Sequence, residues 1–251
     1  VRIGKESGDF YVLGKGTNLL VKDEGVSYPL IKLGDGFNYF KIDGDNLLAG
    51  ASSSLISLAV KTAGEGLEGF EFASGIPGSL GGAVIMNAGA HGSEIKDILV
   101  DVLVYDTEKE EYVTFRNEEL KYSYRDSFLK NNSRYIVVEA NFKLFKGDKK
   151  LLMESIKKTK NERMSKQPYE YPNGGSVFKN PPGMSAGKLI EESGLKGLAI
   201  NDAQVSEKHG NFIINKGNAK AADVINLIEH IEKVIKEKYN INLEREIIII
   251  G

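Results

Sequence analysis

The sequence contains no cysteine among its 251 residues. Disulfide bonds, thiolate zinc sites and thiol nucleophiles are therefore excluded. Acidic and basic residues almost balance, with a formal net charge of -2, so the chain lacks the basic excess typical of nucleic-acid-binding proteins. No apolar run approaches the roughly 20 residues that a membrane-spanning helix requires. The composition thus predicts a chain whose partners include neither nucleic acid nor a membrane.

The first residues also lack the apolar core of a signal peptide, because Lys5, Glu6 and Asp9 interrupt them. Together with the absence of cysteine, this predicts a cytoplasmic protein, which we expect to be a monomer. A strand is predicted at residues 10–13, and nothing before it in the sequence could pair with it or cover it. We therefore expect an N-terminal strand and helix to precede Val1.

The order of the predicted elements indicates an α+β fold in two parts. The first part has one helix, ending at Gly64, and many short strands, predicted at 10–13, 19–22, 28–33, 39–43, 47–49, 98–105, 111–115 and 135–144. The second part has strands at 211–214 and 246–250, and its helices are predicted at 152–166, 185–193 and 221–239. A polar break at 146–150 separates the two. We predict domains over residues 1–146 and 147–251.

Two segments are unusually poor in bulky side chains. Residues 75–92, read as G-I-P-G-S-L-G-G-A-V-I-M-N-A-G-A-H-G, would let the backbone approach a ligand closely and offer N–H groups to an anion. Residues 14–20, G-K-G-T-N-L-L, lie between two predicted strands, where a tight turn can form a backbone nest for phosphate. The alternative is tight turns with close helix–strand packing. Two such loops in a strand-rich domain favour a flavin dinucleotide over NAD.

Three other patterns resemble known binding motifs, but their sequence context argues against each of those functions. The G-x-G-x-x-G match at residues 64–69 follows a helix instead of a strand, which predicts a helix end and a turn. The segment 183–189 is one residue short of a P-loop and lacks its Ser or Thr. His91, His209 and His230 have no metal-ligand spacing, so no metal site is predicted.

Three downstream positions suit acid–base and electrostatic chemistry. Arg125 lies in the motif Y-R-D-S at 124–127, and Ser176 follows two glycines with no histidine nearby in sequence. A serine in that context is a better proton or hydrogen-bond donor than a nucleophile. Glu246 begins a very apolar strand, where burial would favour the protonated carboxyl. Taken singly, a surface turn with an Arg–Asp pair remains open for the motif of Arg125, and a solvated strand end remains open for Glu246.

Taken together, these motifs resemble the UDP-N-acetylenolpyruvoylglucosamine reductase (MurB) family of flavoenzymes over essentially the whole chain. The resemblance is carried in order by G-K-G-T-N-L-L, G-I-P-G-S-L-G-G-A, N-A-G-A-H-G, Y-R-D-S, G-S-V-F-K-N-P and the closing E-R-E-I strand. The short connection over residues 128–150 leaves no room for the substrate-capping loop of some members. The chain therefore resembles the subgroup without that loop.

This resemblance implies an FAD-binding domain of the vanillyl-alcohol-oxidase (PCMH) type, followed by an α+β substrate-binding domain. It implies reduction of UDP-N-acetylglucosamine enolpyruvate to UDP-N-acetylmuramate in peptidoglycan precursor synthesis. NADPH would reduce FAD, and hydride would then pass to the β-carbon of the enolpyruvyl double bond. Negative charge would develop at the α-carbon and spread into the carboxylate as an enolate.

Residue roles follow by matching motif positions. Arg125 and a protonated Glu246 would hold the carboxylate, and Ser176 would protonate the enolate. The residues expected to bind FAD are Gly14, Lys15, Gly16, Thr17, Asn18, Leu19, Gly75, Ile76, Pro77, Gly78, Ser79, Gly81, Gly82, Asn87, Ala88, Gly89 and Ala90. The residues expected to contact the substrate are Tyr124, Lys166, Asn180 and His209, with Lys166 at the UDP phosphates.

Three other functions remain open for this sequence. The first is a flavin oxidase or dehydrogenase of the same fold that acts on another substrate. The second is a catalytically silent flavin-binding module, which the presence of Arg125, Ser176 and Glu246 disfavours. The third is a nucleotide-sugar binder without flavin, which would leave both glycine-rich loops unexplained.

Overall fold

A computed structural model describes residues 10–251. The chain forms two compact units, of which the first comprises the described residues up to Lys15 together with Tyr28–Glu162. The second comprises Gly16–Ser27 and Arg163–Gly251. The strand and helix expected ahead of Val1 lie outside the described residues, and the domain division at residues 146 and 147 stays a prediction.

The secondary structure alternates short strands with five α-helices over residues 10–251. The helices are α1 (Leu55–Gly64), α2 (Leu80–Ile85), α3 (Lys149–Lys166), α4 (Ala186–Glu192) and α5 (Ala221–Tyr239). The strands are β1 (Tyr11–Leu13), β2 (Leu19–Val21), β3 (Leu30–Lys32), β4 (Phe40–Asp43), β5 (Asn46–Gly50), β6 (Leu67–Glu68), β7 (Gly89–Ala90), β8 (Ser93–Glu94), β9 (Leu99–Asp106), β10 (Glu111–Arg116), β11 (Tyr135–Lys143), β12 (Phe145–Lys146), β13 (Ala199–Ile200), β14 (Ala203–Val205), β15 (Ile213–Asn215) and β16 (Ile248–Ile250). In this described part of the chain, no helix has the length and apolar character needed to cross a bilayer.

Local sequence signals account for the helix ends. Helix α1 begins after Ser54 and ends at Gly64, and Gly66 follows with a φ of 70°, which confirms the predicted helix end and turn over residues 64–69. Helix α5 has the predicted bounds and is closed by Asn240 in the left-handed conformation. Helix α2 was not predicted, because its six residues lie in a segment of small side chains with little periodicity.

The first unit is built on an antiparallel sheet in the order β10-β9-β11-β5-β4. Alternate side chains of β9 and β11 are buried, as expected where one face of a sheet packs on a core. Helix α1 contributes Leu55, Leu58 and Ala59 to that core. A separate parallel pair joins β1 to β3.

The second unit combines short sheets with helix α5. Strand β2 pairs in parallel with β16, in a register that sets Leu19 opposite Ile248. Strands β13, β14 and β15 form an antiparallel sheet. The buried face of α5, at Leu227, Ile228 and Ile231, belongs to the core of this unit.

Candidate active site

A cavity of about 280 Å³ lies in the first unit. Part of its lining comes from residues predicted to bind flavin, namely Gly14, Lys15, Ser79, Gly81 and Gly82. No sequence motif pointed to the remaining lining, which includes the apolar residues Val12, Leu13, Ile85 and Val137, the hydroxyls of Ser52 and Ser54, and the cation Lys32. These residues come from strands and turns that are far apart in the sequence, so their meeting depends on the tertiary fold.

The two loops that the sequence singled out meet at Gly14 and Ser79. A Cβ added to Gly14 would lie 2.5 Å from Ser79 Oγ, a distance that side chains do not tolerate. Glycine at this position therefore permits the close approach of the two loops. The predicted loop over residues 14–19 continues from Gly16 onward as part of the second unit.

The start of helix α2 uses its N–H groups within the protein. Ser79 Oγ accepts a hydrogen bond from the Gly82 N–H at 3.4 Å. The N–H groups of Leu80 and Gly81 each donate to a backbone carbonyl of residues 51–53 at 2.9 Å. These donors fix the loop beside the cavity, so an anion there would have to be held by other groups.

The cavity fits the parts of FAD in chemical character. Lys15 and Lys32 supply positive charge for a diphosphate, which exceeds the single negative charge of Asp35 in the same lining, and Gly14 leaves the backbone open to close approach. Apolar side chains such as Leu13 and Val137 suit a flat aromatic ring. The donor set thus matches an anionic dinucleotide that carries large ring systems.

Arg125 is brought to the predicted flavin loop by its own side chain. Its Nη2 donates to the Gly89 carbonyl at 2.7 Å, and its guanidinium lies 5.0 Å from the centre of the Tyr124 ring. Ser127 Oγ donates to the Ile85 carbonyl at 2.6 Å, which ties the same turn to the end of α2. The motif at 124–127 and the loop at 87–90 therefore form one local structure.

Asn87 is a buried centre of hydrogen bonds in this structure. Its Nδ2 donates to Glu94 Oε2 at 2.9 Å and to the Ser123 carbonyl at 3.0 Å, while its Oδ1 accepts from the Lys96 N–H at 3.1 Å. The hydrogen bonds of the amide side chain therefore stabilise the conformation of the loop. A contact of Asn87 with flavin would come from its backbone. Ala88 and Ala90 lie beside it, and Gly75–Gly78 connect the preceding turn to α2.

In the second unit, residues 173–178 around Ser176, here called the serine loop, lie beside the residues that lead into β16. This strand was predicted over 246–250 and is observed over Ile248–Ile250, so Glu246 precedes it. The Glu246 N–H donates to the Val177 carbonyl at 2.8 Å, and Phe178 forms an isolated antiparallel bridge with Arg245. Ser176 and Glu246 are both half-buried. Ser176 directly precedes the residue whose carbonyl Glu246 binds, so the predicted hydroxyl and carboxyl donors lie on adjacent extended segments.

Two further contacts fix the head of that strand. Asn18 Nδ2 donates to the Glu246 carbonyl at 3.0 Å, which attaches the loop around Thr17 to the strand. Arg245 forms a two-pronged ion pair with Glu232 of α5, at 2.6 Å and 2.7 Å. Gly174 is packed so closely that an added Cβ would lie 2.6 Å from Ile247 Cδ1. The backbone around Glu246 is therefore held from several sides.

Asn211 joins the serine loop to His209, a role that no sequence motif indicated. Its side chain is buried and pairs with both backbone groups of Phe178, at 3.0 Å and 2.8 Å. Its carbonyl accepts from the Val177 N–H at 2.9 Å, and its own N–H donates to His209 Nδ1 at 3.2 Å. An asparagine within the apolar run at 211–214 was the only hint available.

His209 is held in its neutral form. Burial lowers the pKa of its imidazole, and the positive charges of Lys196 and Arg163 lower it further. Because Nδ1 accepts a hydrogen bond from Asn211, the ring proton lies on Nε2. The ring also packs edge-on against Phe212. His209 therefore offers an N–H donor at Nε2, and its contact with a substrate stays a prediction.

Two remaining predicted substrate residues lie at the surface of the second unit. Lys166 is the last residue of α3 and is exposed. Asn180 is exposed, and its Oδ1 accepts from the Ala186 N–H at 3.0 Å, which places it just before α4. Their contacts with a substrate stay predictions.

Comparisons with known proteins agree with the motifs. Residues 2–116 match a family profile described as an FAD binding domain, and residues 167–250 match the C-terminal domain of UDP-N-acetylenolpyruvoylglucosamine reductase. The chain is 47% identical to the UDP-N-acetylenolpyruvoylglucosamine reductase of Caldanaerobacter subterraneus, over 98% of this chain and 81% of that one. For the Bacillus subtilis enzyme of the same name, the identity is 44%, over 96% of this chain and 79% of that one.

Comparison of the fold with solved structures agrees with the sequence comparisons. The crystal structure of the reductase (MurB) from Thermus caldophilus superposes with a TM-score of 0.85 at 36% identity, covering 98% of this chain and 88% of that one. The predicted α+β fold with an FAD-binding domain of the vanillyl-alcohol-oxidase type is confirmed. On these identities and coverages, the chain belongs to the UDP-N-acetylenolpyruvoylglucosamine reductase (MurB) family.

Proposed function

We propose that this FAD-dependent reductase takes hydride from NADPH and reduces UDP-N-acetylglucosamine enolpyruvate to UDP-N-acetylmuramate. Membership of the family supports the reaction and its place in peptidoglycan synthesis. When bound, FAD supplies a carrier that accepts hydride from one substrate and releases it to another. The observation that supports the residue roles is the hydrogen bond from the Glu246 N–H to the Val177 carbonyl, which brings the backbone next to Ser176 against the backbone of Glu246.

Arg125 would act on the substrate carboxylate. As the enolpyruvyl double bond gains hydride at its β-carbon, negative charge grows at the α-carbon and in the carboxylate. A guanidinium already fixed by Gly89 needs little reorganisation to stabilise that charge. Glu246, in its protonated form, would donate a second hydrogen bond to the same carboxylate.

Ser176 would deliver the proton to the α-carbon. Its hydroxyl is half-buried, and Gly175, with a φ of 80°, turns the chain sharply just before it. An enolate is basic enough to take a proton from a hydroxyl. Tyr124, Lys166, Asn180 and His209 would bind the rest of the substrate, with the neutral His209 as a donor through Nε2.

FAD would be held by the two small-residue loops of the first unit, Gly75–Gly82 and Asn87–Ala90, and by the segment 14–19. Lys15 and Lys32 line the cavity and would face the diphosphate. We also propose that the protein acts in the cytoplasm as a monomer.

The overall proposal is tested by anaerobic absorbance of the purified, FAD-loaded protein. The oxidised-flavin band should bleach when NADPH is added and return when the enolpyruvyl nucleotide follows. If NADPH bleaches the band and the nucleotide does not restore it, the substrate is a different one. If NADPH leaves the band unchanged, NADPH is not the hydride donor.

Ser176→Ala tests the proton-donor role. The variant should reduce flavin with NADPH at the wild-type rate, because that step needs no proton from Ser176. Reoxidation by the nucleotide should slow by about 10²- to 10⁴-fold, the usual contribution of a positioned acid. Stopped-flow absorbance measures both steps.

The matched control is Ser27→Ala, which removes an exposed serine from the same unit. It should leave both half-reactions unchanged. Equal loss of both steps in Ser176→Ala would contradict the role, since a proton donor to the substrate acts in only one of them.

A further inference from the structure

Strained backbone conformations occur in the Arg125 turn and in the segment that is hydrogen-bonded to it. Over residues 10–251, seven non-glycine residues have positive φ, and four of them lie in two short segments: Asn87 (44°), His91 (56°), Lys121 (46°) and Arg125 (56°). The left-handed conformation is disfavoured for any residue with a Cβ. Such residues persist only where neighbours hold them, and they cluster at functional sites.

The two strained segments are bound to each other. Asn87 donates to the Ser123 carbonyl, and Arg125 donates to the Gly89 carbonyl. The conformation of one segment therefore constrains the other. The direction of the Arg125 side chain depends directly on its own φ, because φ sets where the Cα–Cβ bond points.

Lys130 holds the backbone of Arg125 itself. Its Nζ donates to the Arg125 carbonyl at 3.1 Å and lies 3.9 Å from Asp126 Oδ1. The Lys130 N–H donates to the Ser127 carbonyl at 3.1 Å, so the lysine is itself fixed in the following turn. Its side chain is only 21% exposed, which reduces the screening of its charge by water.

We propose that Lys130 is a positioning residue for the reduction, which keeps Arg125 in its left-handed conformation by binding the Arg125 carbonyl. This inference rests on the proposed role of Arg125 at the substrate carboxylate. Without the ammonium, the Arg125 backbone can relax toward negative φ, and the guanidinium then leaves the Gly89 carbonyl. Lys130 would touch neither flavin nor substrate.

Lys130→Met tests this, because methionine keeps most of the aliphatic stem and removes the donor. NADPH should reduce the flavin of the variant at the wild-type rate, and the FAD content should be unchanged. Reoxidation by the enolpyruvyl nucleotide should slow by about 10- to 100-fold, the usual effect of a displaced catalytic group. Lys130→Arg, which retains a charged donor, should recover most of that loss.

Lys143→Met is the matched control. Lys143 belongs to the same unit and is paired with Asp45, so the variant also removes a bonded lysine. It should leave both half-reactions unchanged. A second readout is calorimetric binding of UDP-N-acetylmuramate, whose carboxylate should bind more weakly to Lys130→Met than to Lys143→Met.

Several outcomes would overturn the inference. These are equal slowing of both half-reactions, loss of FAD from Lys130→Met, no slowing at all, failure of Lys130→Arg to recover activity, or an equal effect of Lys143→Met. The proposed function fails separately, since it fails if the wild-type protein does not complete the anaerobic cycle.

Discussion

Arg125 and His209 each take their state from near and distant contacts together. The Arg125 guanidinium reaches Gly89, which lies 36 positions away, and Lys130 binds the Arg125 carbonyl. His209 takes its tautomer from the Asn211 N–H and its neutral form from burial and nearby cations. The residue type sets which reactions a side chain can take part in. The contacts around it then fix the conformation of Arg125 and the tautomer and protonation of His209.

The neutral state of His209 predicts a pH dependence of stability. The unfolded chain takes up a proton on this imidazole near pH ~6.5, whereas the folded chain does so only at lower pH. Between these two pKa values the unfolded state binds more protons, so the free energy of unfolding falls as the pH is lowered. His209→Gln should make that dependence shallower between about pH 7 and about pH 5, measured by urea unfolding.

His230→Gln is the control, because it replaces an exposed histidine of the same unit. A His230→Gln protein whose pH dependence changes as much as that of His209→Gln would refute this explanation.

The N-terminal N–H groups of helix α5 are bound by a side chain that is distant in the sequence. Its N-terminal Ala221 and Ala222 N–H groups donate to the Asp23 carboxylate at 2.8 Å and 2.9 Å. These bonds lower the pKa of Asp23. The apolar periodicity of the sequence predicted the bounds of α5, but the cap comes from a residue 198 positions away. The same contact attaches the segment 16–27 to residues 163–251, the other part of the second unit.

Asp23→Ala should therefore lower the stability of the second unit, because two helix N–H groups lose their acceptor. Asp23→Asn keeps one acceptor oxygen and should destabilise less. The contribution of Asp23 is present above the pKa of the unfolded carboxyl, about 3.9, and is lost as the pH falls through the lower folded value. Hydrogen exchange of the α5 amides measures the effect.

Asp202→Ala is a useful comparison, since Asp202 binds a turn of the same unit, at the Asn218 N–H, and not the helix. If Asp202→Ala and Asp23→Ala accelerated exchange in α5 equally, Asp23 would not be acting as a helix cap.

At the scale of the whole molecule, each unit has its own hydrophobic core. In the first unit Phe142 of β11 is fully buried and meets Phe70 edge-on, with ring centres 5.2 Å apart. The same sheet carries Tyr112 on its outer strand β10, where it is 63% exposed. The cavity in which we propose that FAD binds is built on this unit, so its shape depends on that core.

Phe142→Ala should lower the free energy of unfolding by about 3–5 kcal/mol, because a large buried ring is replaced by a cavity. The variant should also lose FAD more readily on dilution, followed by flavin fluorescence. Tyr112→Ala, an aromatic truncation in the same sheet, should change stability by less than about 0.5 kcal/mol. Equal destabilisation by both would argue against the assigned core.

By itself the sequence determined the local features of this protein. Glycine and asparagine marked the turns, and apolar periodicity marked α5, because these signals act within a few residues of chain. The order of six motifs also identified the family, since each motif is local and their sequence order is visible. The short helix α2 was not predicted, because its small side chains show almost no apolar periodicity.

Only the tertiary structure decided which distant segments meet. The contact of Gly14 with Ser79, the anchoring of Arg125 by Gly89, and the pairing of Leu19 with Ile248 join parts of the chain that share no local signal. The physical reason is that buried hydrogen-bonding groups and apolar faces must find partners wherever the fold brings them. The sequence shows which hydrogen-bonding groups and apolar side chains need a partner if they are buried. The packing of the folded chain determines which partner each of them contacts.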